Sequence, residues 1–430
     1  MGIRKSTLSG LWAISPLFVF IFVFVGASLL AGDFYKIPLV VVFVIAALYA
    51  VSITKGISVN DRITVFSKGA GAPNLMLMVW IFVLAGAFAA SAKAMGAIEA
   101  TVNLTLWLLP DQLLLAGLFV AACFVSLSIG TSVGTIVALV PVAVGVADKA
   151  ELVLPLVVAV VVGGAFFGDN LSFISDTTVV ATRSQGCELS DKFKVNVRIV
   201  MPAAILTGLI YVYLGFAPQE GFILESVDWI KIIPYLAVLC LAIWGVNVLA
   251  VLVLGNVLTG IIGMCDGVFR LETWFVAMGE GIVSMGDLIV ISLLAGGLME
   301  IIRYNGGIDF LVEKMTSRIS GKRGAESCIA ALVCVTNLCT ANNTIAILSV
   351  GEISRDIAGK YGVDKRKSAS ILDTSSCCIQ GLIPYGAQLL MASGLSALNP
   401  FAIIPFLYYP MIIGGCVILS ILFRYPKAYS

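Results

Sequence analysis

Asp169 and Asp176 stand seven residues apart in the stretch FGDNLSFISDTTVVATRSQG (Phe167 to Gly186), among Asn170, Ser172, Ser175, Thr177 and Thr178. A carboxylate surrounded by neutral oxygens is the donor set of a hard cation, which takes about five or six oxygens with a carboxylate for charge balance. Upstream, GTSVGT (Gly130 to Thr135) adds the hydroxyls of Thr131, Ser132 and Thr135. Its glycines let carbonyls turn out of helical geometry. Farther along, TANNT (Thr340 to Thr344) offers Asn342, Asn343 and Thr344. The run CIQGLIPYGAQ (Cys378 to Gln388) offers Gln380, Tyr385 and Gln388, but no acid. Asp373 precedes that run by one to two helical turns. These polar groups lie in apolar surroundings, where a carboxylate is costly unless something pairs with it. A proton or a sodium ion can meet that need at the same oxygens, though hardly both at once. Competition of that kind is the simplest route to exchanging one for the other.

The elements that position these groups follow from composition. Of the 430 residues, 60% are hydrophobic and 12% charged, against about 25% charged in a soluble chain. Long apolar runs recur from Leu11 to Phe423, which marks an all-α polytopic membrane protein. The run from Leu11 to Ala31 is too long for the apolar core of a signal peptide and reads as a retained first helix. The chain has no histidine, which excludes Ser-His and Cys-His catalysis and the usual imidazole metal ligand. Its ten cysteines include no C-x-x-C pair and read as small buried apolar residues. A net charge of +1 without a basic cluster next to aromatics argues against nucleic acid as a partner.

The chain also repeats itself. AGAFAASAKAMGAIEA from Ala85 aligns with AGGLMEIIRYNGGIDF from Ala295, and TSVGTIVALV from Thr131 with TANNTIAILS from Thr340. At the latter spacing of 209, Asp169 to Asp176 falls on Cys378 to Tyr385. We expect two repeats, residues 1–217 and 218–430. Each would have about five crossings plus a re-entrant hairpin, here Leu113 to Ala147, and a discontinuous helix, here 152–185 with its break at Gly168-Asp169-Asn170. An odd number of crossings inverts the second copy. With Arg4 and Lys5 inside, this arrangement puts 21 of the 26 lysines and arginines on the cytoplasmic side, Lys192 and Lys367 among them. It leaves Glu220, Glu225 and Asp228 outside. Both termini would be cytoplasmic and the location the inner (plasma) membrane. Glu300 reads as an interfacial ion pair with Arg303, and Asn247 as an interhelical hydrogen bond. Inverted repeats with broken helices are the architecture of secondary transporters, whose substrate site lies where the breaks meet.

The string FFGDNLSFISDTTVVAT (Phe166 to Thr182), with GTSVGT upstream and TANNT and PYGAQ in the second half, resembles the NhaC family of sodium/proton antiporters within the ion transporter superfamily. Phe173 stands where that family favours proline. The resemblance implies a Na⁺ site using Asp169 and Asp176, to which we add Thr135 as a neutral ligand, and a carrier unit that rocks or moves like an elevator. It implies no cofactor, only Na⁺ and H⁺ as transported or coupling ions. Two other readings compete with this one. One is a cation-coupled carrier of a small organic acid or amino acid, touched by Asn342, Asn343 and Gln388. The other, an intramembrane aspartyl protease, needs two facing carboxylates, and the repeat places no acid opposite Asp169. The expected partners are the lipid bilayer, Na⁺ and H⁺, with room for an organic solute and for a homodimer.

Overall fold

The computed structural model describes residues 10–31, 37–172, 175–216, 226–244, 246–316 and 319–429. Arg4, Lys5, Phe173, Glu220 and Glu225 lie outside the described residues. Among the described residues the regular structure is helical. The first half runs α1 (Gly10–Ala31), α2 (Leu39–Ile53), α3 (Val59–Ala70), α4 (Pro73–Met95), α5 (Ala97–Leu108), α6 (Leu114–Ile129), α7 (Ser132–Lys149), α8 (Leu154–Leu171), α9 (Asp176–Gln185) and α10 (Leu189–Gly215). The second runs α11 (Trp229–Ile243), α12 (Val248–Cys265), α13 (Leu271–Ser284), α14 (Gly286–Tyr304), α15 (Gly307–Thr316), α16 (Gly321–Thr340), α17 (Asn343–Tyr361), α18 (Lys365–Gln380), α19 (Ala387–Ser396), α20 (Pro400–Ile403) and α21 (Tyr408–Leu422). Among the described residues eight helical spans, or nine if the bent pair 387–406 is one span, are long and apolar enough to cross a membrane. The chain is an integral membrane protein.

The element order recurs with a spacing of 211 residues, not 209. Helices start at Ser132 and Asn343, at Leu154 and Lys365, at Asp176 and Ala387, and at Leu189 and Pro400. Four pairs of left-handed backbone positions recur at the same spacing: Gly56 with Gly267, Gly130 with Ala341, Glu151 with Gly362, and Gly186 with Ala397. Packing follows the exchange of halves. Helix α7 lies on α19 and α17 on α9, while α3 lies on α14 and α13 on α4. The corrected spacing places Asp169 opposite Gln380, Thr177 opposite Gln388 and Ser132 opposite Asn343. Side-chain similarity between the halves is too thin to set this register, whereas helix ends and positive φ angles do.

Two features of the first half set the site. Helix α8 is apolar on every side up to its last turn, and Val157 to Ala165 are buried without interruption, as such a sequence requires. It passes between α6 and α7, close enough to α6 that Ser126 donates to the Ala165 carbonyl at 2.6 Å. The chain leaves helical geometry after Leu171, not at Gly168-Asp169-Asn170. Gly168 is a packing glycine: a Cβ there would stand 2.3 Å from the Ser126 Cβ. Asp169 and Asn170 therefore sit in the last turn of α8, and Asp176 opens α9 after the interruption. In the second half, Gly381 to Gly386 separate α18 from α19.

The expected Glu300–Arg303 pair forms, whereas Asn247 and two of the lysines come out differently. Asn247 caps α12 by accepting from the Leu249 amide at 2.9 Å, so it serves its own helix. Glu300 pairs with Arg303 at 4.0 Å and with Lys68 at 3.9 Å. Lys192 and Lys367 are fully buried, which removes both from the set of cytoplasmic surface charges.

Candidate functional site

Each half contributes a hairpin tip and a break. At the first tip α6 ends on Gly130, whose φ of 74° is the left-handed conformation that a residue without Cβ adopts freely. Thr131 then turns the chain into α7. At the second tip Ala341 takes the same conformation, and Asn342 caps α17 by accepting from the Ile345 amide at 3.0 Å. The breaks end α8 and α18 and begin α9 and α19.

Tips and breaks of both halves line one cavity of about 180 Å³. The first half presents Thr131, Ser132, Asp169, Asp176 and Thr177, and the second presents Asn342, Asn343, Thr344, Gln380 and Gln388. Leu77 and Met78 of α4 add apolar lining. Asp169 is 5% exposed, whereas Asp176 is open. One Asp169 oxygen accepts from Ser132 at 2.9 Å, and the other from Ser175 at 2.5 Å. Ser175 and Thr177 share a hydrogen bond of 2.9 Å. Gln388 donates to Ser132 at 3.0 Å, and Gln380 donates to Gln388 at 2.9 Å and to the Ala341 carbonyl at 3.1 Å. The hydroxyl and amide groups thus form a continuous chain from the acid of one half to the tip of the other. The N-termini of α7, α9, α17 and α19 all open on this cavity, as does the C-terminal turn of α8.

The sequence profile of the Na⁺/H⁺ antiporter family matches residues 6–216 and 224–425. The chain belongs to this family. It is a secondary active transporter. The Na⁺/H⁺ antiporter NhaC of Bacillus subtilis is 28% identical over 76% of this chain and 78% of its own. The malate-2H⁺/Na⁺-lactate antiporter of Bacillus subtilis is 20% identical over 81% of each chain. The arginine/ornithine antiporter ArcD of Halobacterium salinarum is 24% identical over 63% of each.

In this antiporter-family chain several residues singled out from sequence face away from the cavity. The Thr135 hydroxyl donates to the Thr131 carbonyl at 3.0 Å. Asn170 points the other way, donating to the Phe166 carbonyl at 3.0 Å and to the Tyr409 hydroxyl at 3.4 Å. Ser172 donates to the Leu127 carbonyl at 3.1 Å, and Tyr385 to the Leu338 carbonyl at 2.7 Å with its ring against Phe20 and Phe43.

Asp373 is absent from the cavity wall and is fully buried against Lys192, 2.5 Å away. Sequence reasoning missed Lys192 because it stands in a run of basic residues that fits a cytoplasmic loop. The available signal was Asp373 itself, since an acid in the middle of a buried helix requires a cation from another element.

Proposed function

We propose that this chain exchanges Na⁺ for H⁺, with the two competing for Asp169. The observation that carries the reading is a carboxylate 5% exposed that faces a cavity shared by both halves. Ser132, Ser175 and Thr177 stand around it with oxygens that can turn their lone pairs toward a cation. Asp176, at the opposite side of the break, supplies a second and more hydrated acid. The C-terminal turn of α8 adds the negative end of a helix dipole. The names of the NhaC relatives support the same cargo. In this reading the halves are inverted in the plasma membrane with both termini cytoplasmic, and alternating access exposes the cavity to each side in turn.

A second reading has its own observation. Four helix N-termini and the amides of Asn342, Asn343, Gln380 and Gln388 meet at the cavity, an arrangement that favours the carboxylate of a small organic solute. Relatives named for malate and lactate, and for arginine and ornithine, point the same way. Proteoliposomes carrying a pH-sensitive dye separate the two. Proton movement on adding Na⁺ alone supports Na⁺/H⁺ exchange. A response that needs lactate, malate or arginine as well supports the solute exchanger instead.

A further inference from the structure

Lys192 and Asp373 lie outside the cavity wall, yet their pair reaches both half-helices, α8 and α9, that flank the first break. Lys192 belongs to the first turn of α10 and is 1% exposed, and Asp373 of α18 is 0% exposed. The Lys192 ammonium has three protons and three acceptors. They are Asp373 Oδ2 at 2.5 Å, the Thr178 hydroxyl of α9 at 2.6 Å and the Asn170 carbonyl of α8 at 2.9 Å. The Asn170 carbonyl is one of those left without a helical partner when α8 stops after Leu171. A cation is favoured there by the helix dipole as well. One turn along α10, Asn196 donates to the same carbonyl at 2.9 Å and to Asp373 at 3.4 Å, and its own oxygen accepts from Ser370 of α18.

We propose that Lys192 is a positioning residue for the cation site: it clamps the end of α8 to the first turn of α9 and ties both to α18. The proposal rests on the reading of Asp169 as the cation ligand. Asn170 directly follows Asp169, and Thr178 directly follows Thr177. The clamp therefore holds the Asn170 carbonyl and the Thr178 hydroxyl, each one residue from a cavity-lining side chain on its side of the break. The bond from Ser175 to Asp169 spans that same break at 2.5 Å, and it can form only while the two half-helices keep this separation. Because Asp373 comes from the second half, the clamp also makes the breaks of both halves one unit. A buried ion pair is weak evidence for stability, since apolar residues of similar size often serve as well. Its placement across a break gives it a geometric role instead.

The test is Na⁺ titration of the purified full chain by isothermal calorimetry, run on wild type, Asp169→Asn, Lys192→Met, Lys192→Arg and Thr178→Val. Loss of one hydrogen bond to a charged group is worth roughly tenfold in affinity, so Lys192→Met weakens Na⁺ binding by about tenfold or more and Lys192→Arg recovers part of it. Thr178→Val leaves the ion pair intact, removes only the α9 arm, and weakens binding in the same direction. A merely structural role lowers the melting temperature of these variants while the Na⁺ affinity of the folded fraction stays at the wild-type value, and that result overturns the proposal. If Lys192→Met does not fold, Thr178→Val decides alone. If Asp169→Asn binds Na⁺ as wild type does, the cation reading fails and the clamp proposal falls with it.

Discussion

Gln388 of the second half donates to Ser132 of the first at 3.0 Å, and Ser132 in turn donates to Asp169 at 2.9 Å. The acid of one half is thereby oriented by an amide of the other. The first segment of α19 must stay against the tip of α7 for the site to keep its shape. Gln388→Leu keeps the volume and removes the amide. Na⁺-dependent dye dequenching in proteoliposomes should then show a half-saturating Na⁺ concentration raised roughly threefold to tenfold, the value of one hydrogen bond. An unchanged Na⁺ dependence would separate the second half from the cation site.

Proton competition gives a pH dependence with a definite sign. Only the ionised carboxylate attracts Na⁺, so lowering the pH removes the binding-competent form. Below the ionisation range of the site, apparent Na⁺ affinity should fall by about tenfold per pH unit, and above it affinity should level off. Na⁺ titrations at several pH values read this directly. A constant affinity would require separate sites for the ion and the proton.

Gly168 tests the packing that holds Asp169 in place. A Cβ at this position would meet the Ser126 Cβ at 2.3 Å and the Leu127 amide nitrogen at 2.4 Å, both on α6. Gly168→Ala should cost about 1–3 kcal/mol, as overpacking does, and lower the melting temperature of the detergent-purified protein. Gly415→Ala meets nothing within 4 Å and serves as the control. Equal melting temperatures for the two variants would remove the close α6–α8 approach from the account.

Much of this site was legible because polar groups at membrane depth have few uses. Thr131, Ser132, Asp169, Asp176, Thr177, Asn342, Asn343, Thr344, Gln380 and Gln388 were all picked from their types and spacing, and all line the cavity. The direction of each side chain was not legible. Thr135 returns its hydroxyl to its own helix, and Asn170 and Tyr385 turn into the packing behind the site. A glycine marks either a break or a close approach, and at Gly168 only the neighbouring α6 decides between them. The repeat register was two residues off because Gly130 and Ala341 share a backbone conformation without sharing a side chain. Lys192 was hidden by its basic neighbours, since a charge count along the chain cannot tell a surface lysine from a buried one.

Asp169 as the carrier of the exchanged cation is tested by Na⁺-induced proton movement in proteoliposomes holding wild type or Asp169→Asn at matched density. The wild type should move protons when Na⁺ alone is added. Asp169→Asn, folded and reconstituted to the same level, should give no signal above protein-free liposomes. Wild-type proton movement from Asp169→Asn would contradict the account.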